Sequence, residues 1–349
     1  MKERLQYVDG YKGLGILLMI AGHTGYIGLV DRLFSRIGLS FTIDQWVHAF
    51  HMPMFFIASG YLFTQKREEI NIGQYIKRKV RTLLVPYIIF GLFHYCISIL
   101  INYAGTGSFF DKDELYALFF MNSQNIPIAG ALWFLTALFF CEIIWIVLYK
   151  YVTNKYILCT SIIALAVLGS TWTSLVSTRL PYSIDTAFVG VGLFAIGYCF
   201  RKASAIFVAP KDVIISVLCF VVGSVVSCFN QVNMRKGQYS NPVLFWIAAI
   251  CISLSLLVIC RAITELRERR KKACKYDIIH ALENIGQYSI VYLCFNQIVI
   301  RQVKLLLPDF DIPIAYLIRC TCILLTLLLL YCIRIIVYNT NIRKILGKH

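Results

Sequence analysis

The chain has 349 residues, of which 59% are hydrophobic and only 15% are charged. Apolar runs of 18 or more residues recur from one end to the other, and a run of this length can cross a lipid bilayer. The pattern excludes an ordinary soluble domain and predicts a polytopic membrane protein. The formal net charge of +16 requires no nucleic acid partner, because basic cytoplasmic loops beside anionic lipid head groups account for it.

About ten transmembrane helices are predicted, so the expected fold class is all-α. The first candidate span follows a charged dozen residues without a small-residue cleavage site, so we interpret it as a retained helix rather than a signal peptide. No linker or repeat separates a second domain, and residues 1–349 are expected to form one integral-membrane domain without an appended soluble domain. The candidate spans are residues 12 to 30, 46 to 64, 82 to 104, 131 to 149, 156 to 172, 184 to 200, 212 to 230, 243 to 260, 284 to 303 and 314 to 337.

Lys and Arg are distributed unequally between alternate loops. When the N-terminus is placed inside, the cytoplasmic segments hold 25 of the 34 basic residues. This bias predicts that both termini lie in the cytoplasm, and it agrees with an even number of spans. The 13 cysteines lack paired CxxC spacing, so we interpret them as packing residues and predict no metal site.

The first span combines a cation and an imidazole on an otherwise apolar helix. Lys12 and His23 are eleven residues apart, which turns a helix through three circuits and about 20°, so both side chains share one face roughly 16 Å apart. Polar side chains are energetically unfavourable in lipid, so a polar stripe normally faces a protein interior or a water-filled cavity. This stripe is therefore a functional-site candidate.

Two more histidines lie near the outer end of the second span. His48 and His51 are three residues apart and are therefore neighbours on one helix face. Pro53 either starts the regular helix or kinks it, which suits a site built on broken helix geometry. Interfacial anchoring beside Trp46 is an alternative explanation, which fits His48 better than His51.

Basic residues crowd at the cytoplasmic start of the third span. Arg78 and Arg81 are i and i+3, so they can share one helix face and present two planar guanidinium groups to phosphates. Positive-inside anchoring is an equally good explanation, because Lys77 and Lys79 place further cations around the same helix.

Later spans carry isolated polar residues. Glu142 and Arg319 either neutralise each other or snorkel towards the interface. Asp185 is a candidate functional residue or else a helix N-cap. Asn296 fits a role in holding helices together better than a catalytic role.

These motifs resemble the membrane-bound acyltransferase 3 family, specifically its fucose 4-O-acetylase-like branch. The family opens with an acidic residue, a basic residue and then a histidine, a frame that Asp9, Lys12 and His23 match; most members carry Arg at the position of Lys12. The other similar segments are Phe50-His-Met-Pro-Met-Phe-Phe-Ile-Ala-Ser-Gly-Tyr61, Arg78-Lys-Val-Arg81 before Pro86-Tyr87, Leu132-Trp-Phe-Leu135 and Ser289-Ile-Val-Tyr292.

The resemblance implies acyl transfer, usually of acetyl, from a cytoplasmic coenzyme A thioester to a sugar hydroxyl. It implies His23 as general base, while a covalent acyl-histidine intermediate stays open. Either His51 or a helix-end amide would stabilise the oxyanion. The expected catalytic residues are His23, Lys12, Asp9 and His51; the expected acetyl-CoA contacts are Arg78, Arg81 and Lys12; the expected acceptor contacts are Asp185, Trp133 and Ser59.

The implied acceptor is a cell-surface or exported glycan or a lipid-linked sugar, and the implied location is a bacterial inner membrane. Two other classes stay open. A secondary transporter or glycan flippase would show a similar number of helices, with matching broken helices in its two halves. A non-catalytic membrane protein would not need His23 on the same helix face as Lys12.

Overall fold

The computed structural model describes residues 4–24, 42–106, 112–120, 130–176, 178–204, 208–269, 277–307 and 314–340. Within these ranges the chain is helical, with no β-strand beyond an isolated bridge between Asn233 and Gln238. The predicted all-α fold class is confirmed. The end of the first predicted span beyond Thr24, most of the segment 105 to 130 and the basic segment 341 to 349 lie outside the described residues.

Fourteen α-helices occur in the described ranges, and a π-helix, Val80–Leu84, joins the fourth to the fifth. The helices are α1 (Gln6–His23), α2 (Ile43–His48), α3 (His51–Tyr61), α4 (Ile72–Lys79), α5 (Val85–Thr106), α6 (Lys112–Phe120), α7 (Trp133–Tyr151), α8 (Lys155–Leu175), α9 (Ile184–Ala203), α10 (Pro210–Ser227), α11 (Pro242–Arg269), α12 (Ile278–Gln287), α13 (Ser289–Leu306) and α14 (Ile314–Asn339).

Eight helical segments in the described residues are long and apolar enough to cross a membrane. The described parts of the first two predicted spans also form helices, but these helices are shorter or carry charged residues. Helix α1 carries Asp9 and Lys12 within its 18 residues, and the second span is divided into α2 and the 11-residue α3. Both spans pack inside the bundle, where α1 lies against α12 and α3 lies against α9.

Helices α3 and α9 approach each other until their backbones touch. A Cβ atom added at Gly60 would collide with the carbonyl of Phe194, and one added at Gly197 would collide with the carbonyl of Ile57. Small residues at a crossing allow two helices in a membrane to pack closely. This contact fixes α3, which begins at His51, to a long helix of the bundle.

The peripheral helices α8, α10 and α14 turn apolar side chains outward. Ile163, Leu218 and Leu324 are each exposed over more than half of their surface. An exposed apolar surface of this extent marks an interaction site, and around a bundle of apolar helices it fits contact with lipid.

The start of α1 and the end of α14 lie at the same end of the bundle. The carbonyl of Asp9 abuts Gly286, at the end of α12. The ring of Tyr338 packs against that of Tyr288 with 4.4 Å between centroids. This arrangement agrees with an even number of crossings, while the side that faces the cytoplasm stays a prediction.

Candidate active site

Three histidines meet at the end of α1. The ring centroids of His23 and His48 are 5.3 Å apart, those of His48 and His51 are 5.1 Å apart, and those of His23 and His51 are 6.3 Å apart. Each pair of rings meets edge to face. We call these three residues the histidine cluster. Among the described residues, no group of three or more His, Cys, Asp or Glu side chains is arranged to hold a metal ion.

The local sequence explains how these rings come together. Gly22 lies against α2, where an added Cβ atom would come within 3.0 Å of the Val47 side chain, so the glycine allows α1 and α2 to approach. Helix α3 begins at His51, and Pro53 occupies its first turn, where a missing N–H costs no intrahelical hydrogen bond. Pro53 therefore starts this helix rather than kinking it.

Backbone carbonyls orient two of the rings. Nδ1 of His48 lies 2.6 Å from the carbonyl oxygen of Asp44, and Nδ1 of His51 lies 2.8 Å from that of Val47. A carbonyl oxygen only accepts hydrogen bonds, so Nδ1 carries the proton in both rings and donates it. In a neutral imidazole Nε2 is then the nitrogen that accepts a proton, as a general base requires.

The histidine cluster lines a cavity of about 260 Å³, which we call the histidine cavity. Ala131 and Trp133, at the start of α7, line it as well. The first N–H groups of a helix have no intrahelical partner and carry a partial positive charge. The wall of this cavity therefore includes the first residues of both α7 and α3.

Arg235 adds a full positive charge to the histidine cavity. It lies in a short turn before α11, and its guanidinium abuts Gly130, where an added Cβ atom would lie 2.7 Å from Nη1. Burial lowers the pKa of the Arg235 guanidinium, because desolvation disfavours the charged form. Arginine starts so far above neutral pH that it keeps its charge. The cavity thus combines proton acceptors with a cation that can stabilise an oxyanion.

Two further cavities continue from the histidine cavity towards the end of the bundle where α1 begins. Leu293 lines both the histidine cavity and an apolar cavity of about 160 Å³, which Lys12 also lines. Ser59 and Leu62 line this apolar cavity and a third cavity of about 250 Å³. Lys12 and His23 therefore face the same series of cavities, roughly 16 Å apart along the helix as their spacing predicts.

The third cavity, which we call the basic cavity, is lined by Arg78 and Lys79. Lys79 forms an ion pair with Glu142 of α7, and the hydroxyl of Tyr75 donates a 2.5 Å hydrogen bond to the same carboxylate. The guanidinium of Arg78 lies over the Tyr75 ring, 5.0 Å from its centroid. The basic cavity therefore holds one cation paired with a buried carboxylate and one that rests on an aromatic ring.

Arg81 lies in the π-helix that follows α4 and is exposed. The wider turn of a π-helix changes the relation that i and i+3 residues have on an α-helix. The structure brings Arg78 into the lining of the basic cavity, whereas Arg81 is not part of that lining.

A larger cavity of about 980 Å³ adjoins the histidine cavity on its opposite side, and we call it the outer cavity. His48 and Asn233 line both cavities. Polar side chains, among them Gln45 and Gln238, form much of its wall. Four cavities thus follow one another through the bundle, and the histidine cluster lies between the basic and outer cavities.

Asp9 and Lys12 form a salt bridge near the start of α1. Nζ of Lys12 lies 2.8 Å from the Asp9 carboxylate, which Nε of Arg4 also contacts at 2.5 Å. Asp9 and His23 are fourteen positions apart, which is roughly 21 Å along an α-helix. The structure therefore places Asp9 beside Lys12 and away from the histidine cluster.

The three predicted acceptor contacts occupy different places. Trp133 lines the histidine cavity, and Ser59 lines the apolar and basic cavities. Asp185 is fully buried and forms an ion pair with Arg179, which lines the outer cavity. Asp185 thus binds a cation of the outer cavity wall.

The suggested pairing of Glu142 with Arg319 is wrong. Glu142 pairs with Lys79 at the basic cavity. Arg319 donates instead to the carboxylate of Asp44 at 2.5 Å and to the carbonyl of Ala21 at 3.0 Å, next to the histidine cluster. Glu142 therefore lies in the lining of the basic cavity, whereas Arg319 contacts residues of α1 and α2.

Sequence reasoning missed Arg235 and Lys79 as site residues. Arg235 and its neighbour Lys236 lie in a segment that the positive-inside pattern places outside, where cations are few, and this departure was an available signal. No local pattern distinguishes Lys79 from the neighbouring basic residues, because only the fold brings it to Glu142.

Comparison with known proteins identifies the family of this chain. A family model described as an acyltransferase domain, Acyl_transf_3, matches residues 5–335, a range that contains the histidine cluster and the lining of all four cavities. Comparison with curated proteins and with solved structures found no match. The chain therefore belongs to the acyltransferase 3 family and is a membrane acyltransferase.

Proposed function

We propose that this acyltransferase moves an acyl group, most simply acetyl, from acyl-CoA in the basic cavity to a sugar hydroxyl that enters through the outer cavity. The observation that carries the proposal is the series of four adjoining cavities with the histidine cluster between the two polar ones. A donor and an acceptor approaching from opposite ends of this series would meet at the histidines.

The basic and apolar cavities suit the two parts of an acyl-CoA molecule. Arg78 and Lys79 offer charge-assisted hydrogen bonds to its phosphates. Phe55, Leu135 and Leu138 line the narrower apolar cavity, which suits the thin pantetheine arm. The thioester would then reach the histidine cavity, while the phosphates stay at the basic end.

The outer cavity suits a hydroxyl-rich acceptor such as a glycan or a lipid-linked sugar. Its volume of about 980 Å³ is in the range of ligand-binding clefts. Amide and hydroxyl side chains in its wall can both donate and accept hydrogen bonds, as sugar hydroxyls do. Examples are Gln45, Thr173, Gln238 and Ser240.

In the proposed reaction His23 accepts the proton of the acceptor hydroxyl while its oxygen attacks the thioester carbonyl carbon. The new O–C bond forms, the C–S bond breaks, and the imidazolium returns the proton to the departing sulfur. Arg235 and the helix N-termini would stabilise the negative charge on the carbonyl oxygen. His51 would assist through its fixed Nε2 acceptor.

A proteoliposome experiment tests this arrangement. Purified protein is reconstituted, its orientation is determined, and radiolabelled acetyl-CoA and a soluble oligosaccharide acceptor are supplied on the same side or on opposite sides. We expect labelled acceptor when the donor is on the side of the basic cavity and the acceptor is on the side of the outer cavity. Acetyl-CoA that stays unconsumed with every acceptor and in both orientations would contradict the proposal.

The same vesicles separate the transferase from a transporter or flippase. Movement of unmodified acceptor across the membrane without release of CoA would favour transport. Release of CoA in proportion to acylated acceptor would favour the transferase.

A further inference from the structure

A buried arginine of α14 connects two of the elements that carry the histidine cluster. Arg319 is only 5% exposed, and its Nη2 donates both to the carboxylate of Asp44 and to the carbonyl of Ala21. Ala21 lies two residues before His23 in α1, and Asp44 lies in α2 four residues before His48. One side chain thus ties the end of α1 to α2.

Asp44 extends this connection to the ring of His48. Its carboxylate accepts from Arg319, while its backbone carbonyl accepts from Nδ1 of His48 at 2.6 Å. A partner that fixes one ring nitrogen determines both the tautomer and the orientation of an imidazole. A displacement of Asp44 would therefore turn the His48 ring, which lines both the histidine cavity and the outer cavity.

The energetics of a buried charge support a role beyond packing. Removing the Arg319 guanidinium from water carries a desolvation penalty, and a buried ion pair often contributes no more stability than apolar side chains of similar size, while the Asp44 side chain stays 27% exposed in the wall of the outer cavity. Apolar residues would therefore hold α14 to α1 and α2 at least as well. A bridge with two directional hydrogen bonds instead specifies the geometry of the groups that it joins.

We propose that Arg319 is a positioning residue for acyl transfer, and that it holds His23 and His48 in register at the boundary between the histidine and outer cavities. This inference rests on the proposed function. Arg319 acts through Asp44 and Ala21, while the donor-binding cavities lie on the other side of the histidine cluster. Its loss should therefore lower turnover and leave donor binding unchanged.

Arg201 offers a matched control. It also donates to a carbonyl at the end of a neighbouring helix, since its Nη1 lies 2.9 Å from the oxygen of Tyr61, the last residue of α3. It lines neither the histidine cavity nor the outer cavity. Arg201 therefore makes an arginine–carbonyl contact of the same kind at a place away from the candidate site.

The test compares Arg319→Gln, Arg319→Lys and Arg201→Gln in purified form. We expect Arg319→Gln to lower kcat by about 10²-fold, as a displacement of about 1 Å can do, with the KM for acetyl-CoA changed less than about twofold. Lys keeps the charge and has donors for both acceptors. The kcat of Arg319→Lys should therefore be about tenfold higher than that of Arg319→Gln. Arg201→Gln should lower the melting temperature without lowering kcat.

A double-mutant cycle with Asp44→Asn tests whether Arg319 acts through Asp44. The Asn variant keeps the backbone carbonyl and removes the charge. If the two residues act as a unit, the double variant Arg319→Gln/Asp44→Asn loses no more kcat than Arg319→Gln alone. Losses that multiply would overturn the proposal.

Failure of this inference is distinguishable from failure of the proposed function. Parent protein that transfers no acyl group with any acceptor would contradict the function itself. Parent activity together with unchanged kcat in Arg319→Gln would contradict only the positioning role. If Arg319→Gln does not insert into the membrane, Arg319→Lys and Asp44→Asn decide: kcat equal to that of the parent in both would overturn the role.

Discussion

The histidine cluster and the basic cavity are held by opposite kinds of partner. At the cluster, Nδ1 of His48 and Nδ1 of His51 meet neutral backbone carbonyls. At the basic cavity, Lys79 meets the carboxylate of Glu142. A carbonyl orients an imidazole through one ring nitrogen, whereas the Glu142 carboxylate forms an ion pair with its lysine partner.

This difference fits the two tasks that the proposed function assigns to the histidine cluster and the basic cavity. A general base must gain and lose a proton in each turnover, while a group that binds phosphate must keep its charge throughout. Changes at the histidine cluster should therefore lower kcat, and changes at the basic cavity should raise the KM for the donor. The variants below test this division, from the largest expected effect to the smallest.

The largest effect is expected for His23→Gln. Glutamine keeps polarity and approximate size but cannot take up a proton, so kcat should fall by about 10² to 10⁴, the usual contribution of a positioned base. Initial rates of acetyl transfer at matched protein levels, with the melting temperature measured in parallel, check this. Activity within a few-fold of the parent would remove His23 from the role of base.

His51→Gln sharpens the same comparison. If the two imidazoles act as a unit, His51→Gln should lower kcat by about 10²-fold or more, and the double variant His23→Gln/His51→Gln should lose little beyond the larger single loss. Fold-losses of kcat that multiply in the double variant would show that the two residues act in separate steps.

Arg235→Gln should have the next largest effect. The cation lines the histidine cavity, and removal of one oxyanion donor lowers kcat by about 10² or more. Lys236 is the matched comparison, because it is the neighbouring cation and lines the outer cavity instead. Lys236→Gln should act mainly on the KM for the acceptor; equal losses of kcat in both variants would indicate a general effect of charge.

The membrane fold follows from the sequence far more directly than the site does. Long apolar runs set the positions of the spans. A helix needs about twenty apolar residues to cross the bilayer, and within lipid its backbone groups must pair with one another. Helix α1 was predicted as a span with a polar stripe, and Lys12 and His23 do face one series of cavities. That prediction needed only the period of a single helix.

The rest of the site depends on contacts between helices, which no local pattern encodes. Lys79 meets Glu142 across two helices, and Arg319 meets Asp44 rather than Glu142. A charge inside a span signals that it needs a partner, but it does not identify the partner. The π-helix at Arg81 likewise departs from the regular period on which the Arg78 and Arg81 prediction relied.

Arg78→Ala and Arg81→Ala test the basic end with two chemically identical changes three residues apart. Arg78 lines the basic cavity and Arg81 does not. We expect Arg78→Ala to raise the KM for acetyl-CoA by about tenfold, as the loss of a charge-assisted phosphate contact does, with kcat nearly unchanged. Arg81→Ala should stay within about twofold of the parent. Equal increases would place both guanidinium groups on the donor.

The smallest effect is expected for Lys12→Arg. The Lys12 ammonium lies 2.8 Å from the Asp9 carboxylate and lines the apolar cavity. An arginine keeps the positive charge and can bind the same carboxylate, so acetyl transfer should stay within about threefold of the parent.

Lys12→Met removes the charge, leaves Asp9 with one cation fewer, and should raise the donor KM by about tenfold. Steady-state kinetics on both variants shows whether this end of the series of cavities requires only a positive charge or specifically an ammonium group. If Lys12→Arg is as inactive as Lys12→Met, the cavity requires a compact ammonium rather than a positive charge. Lys12 would then resemble His23, whose proposed role also requires one particular side chain.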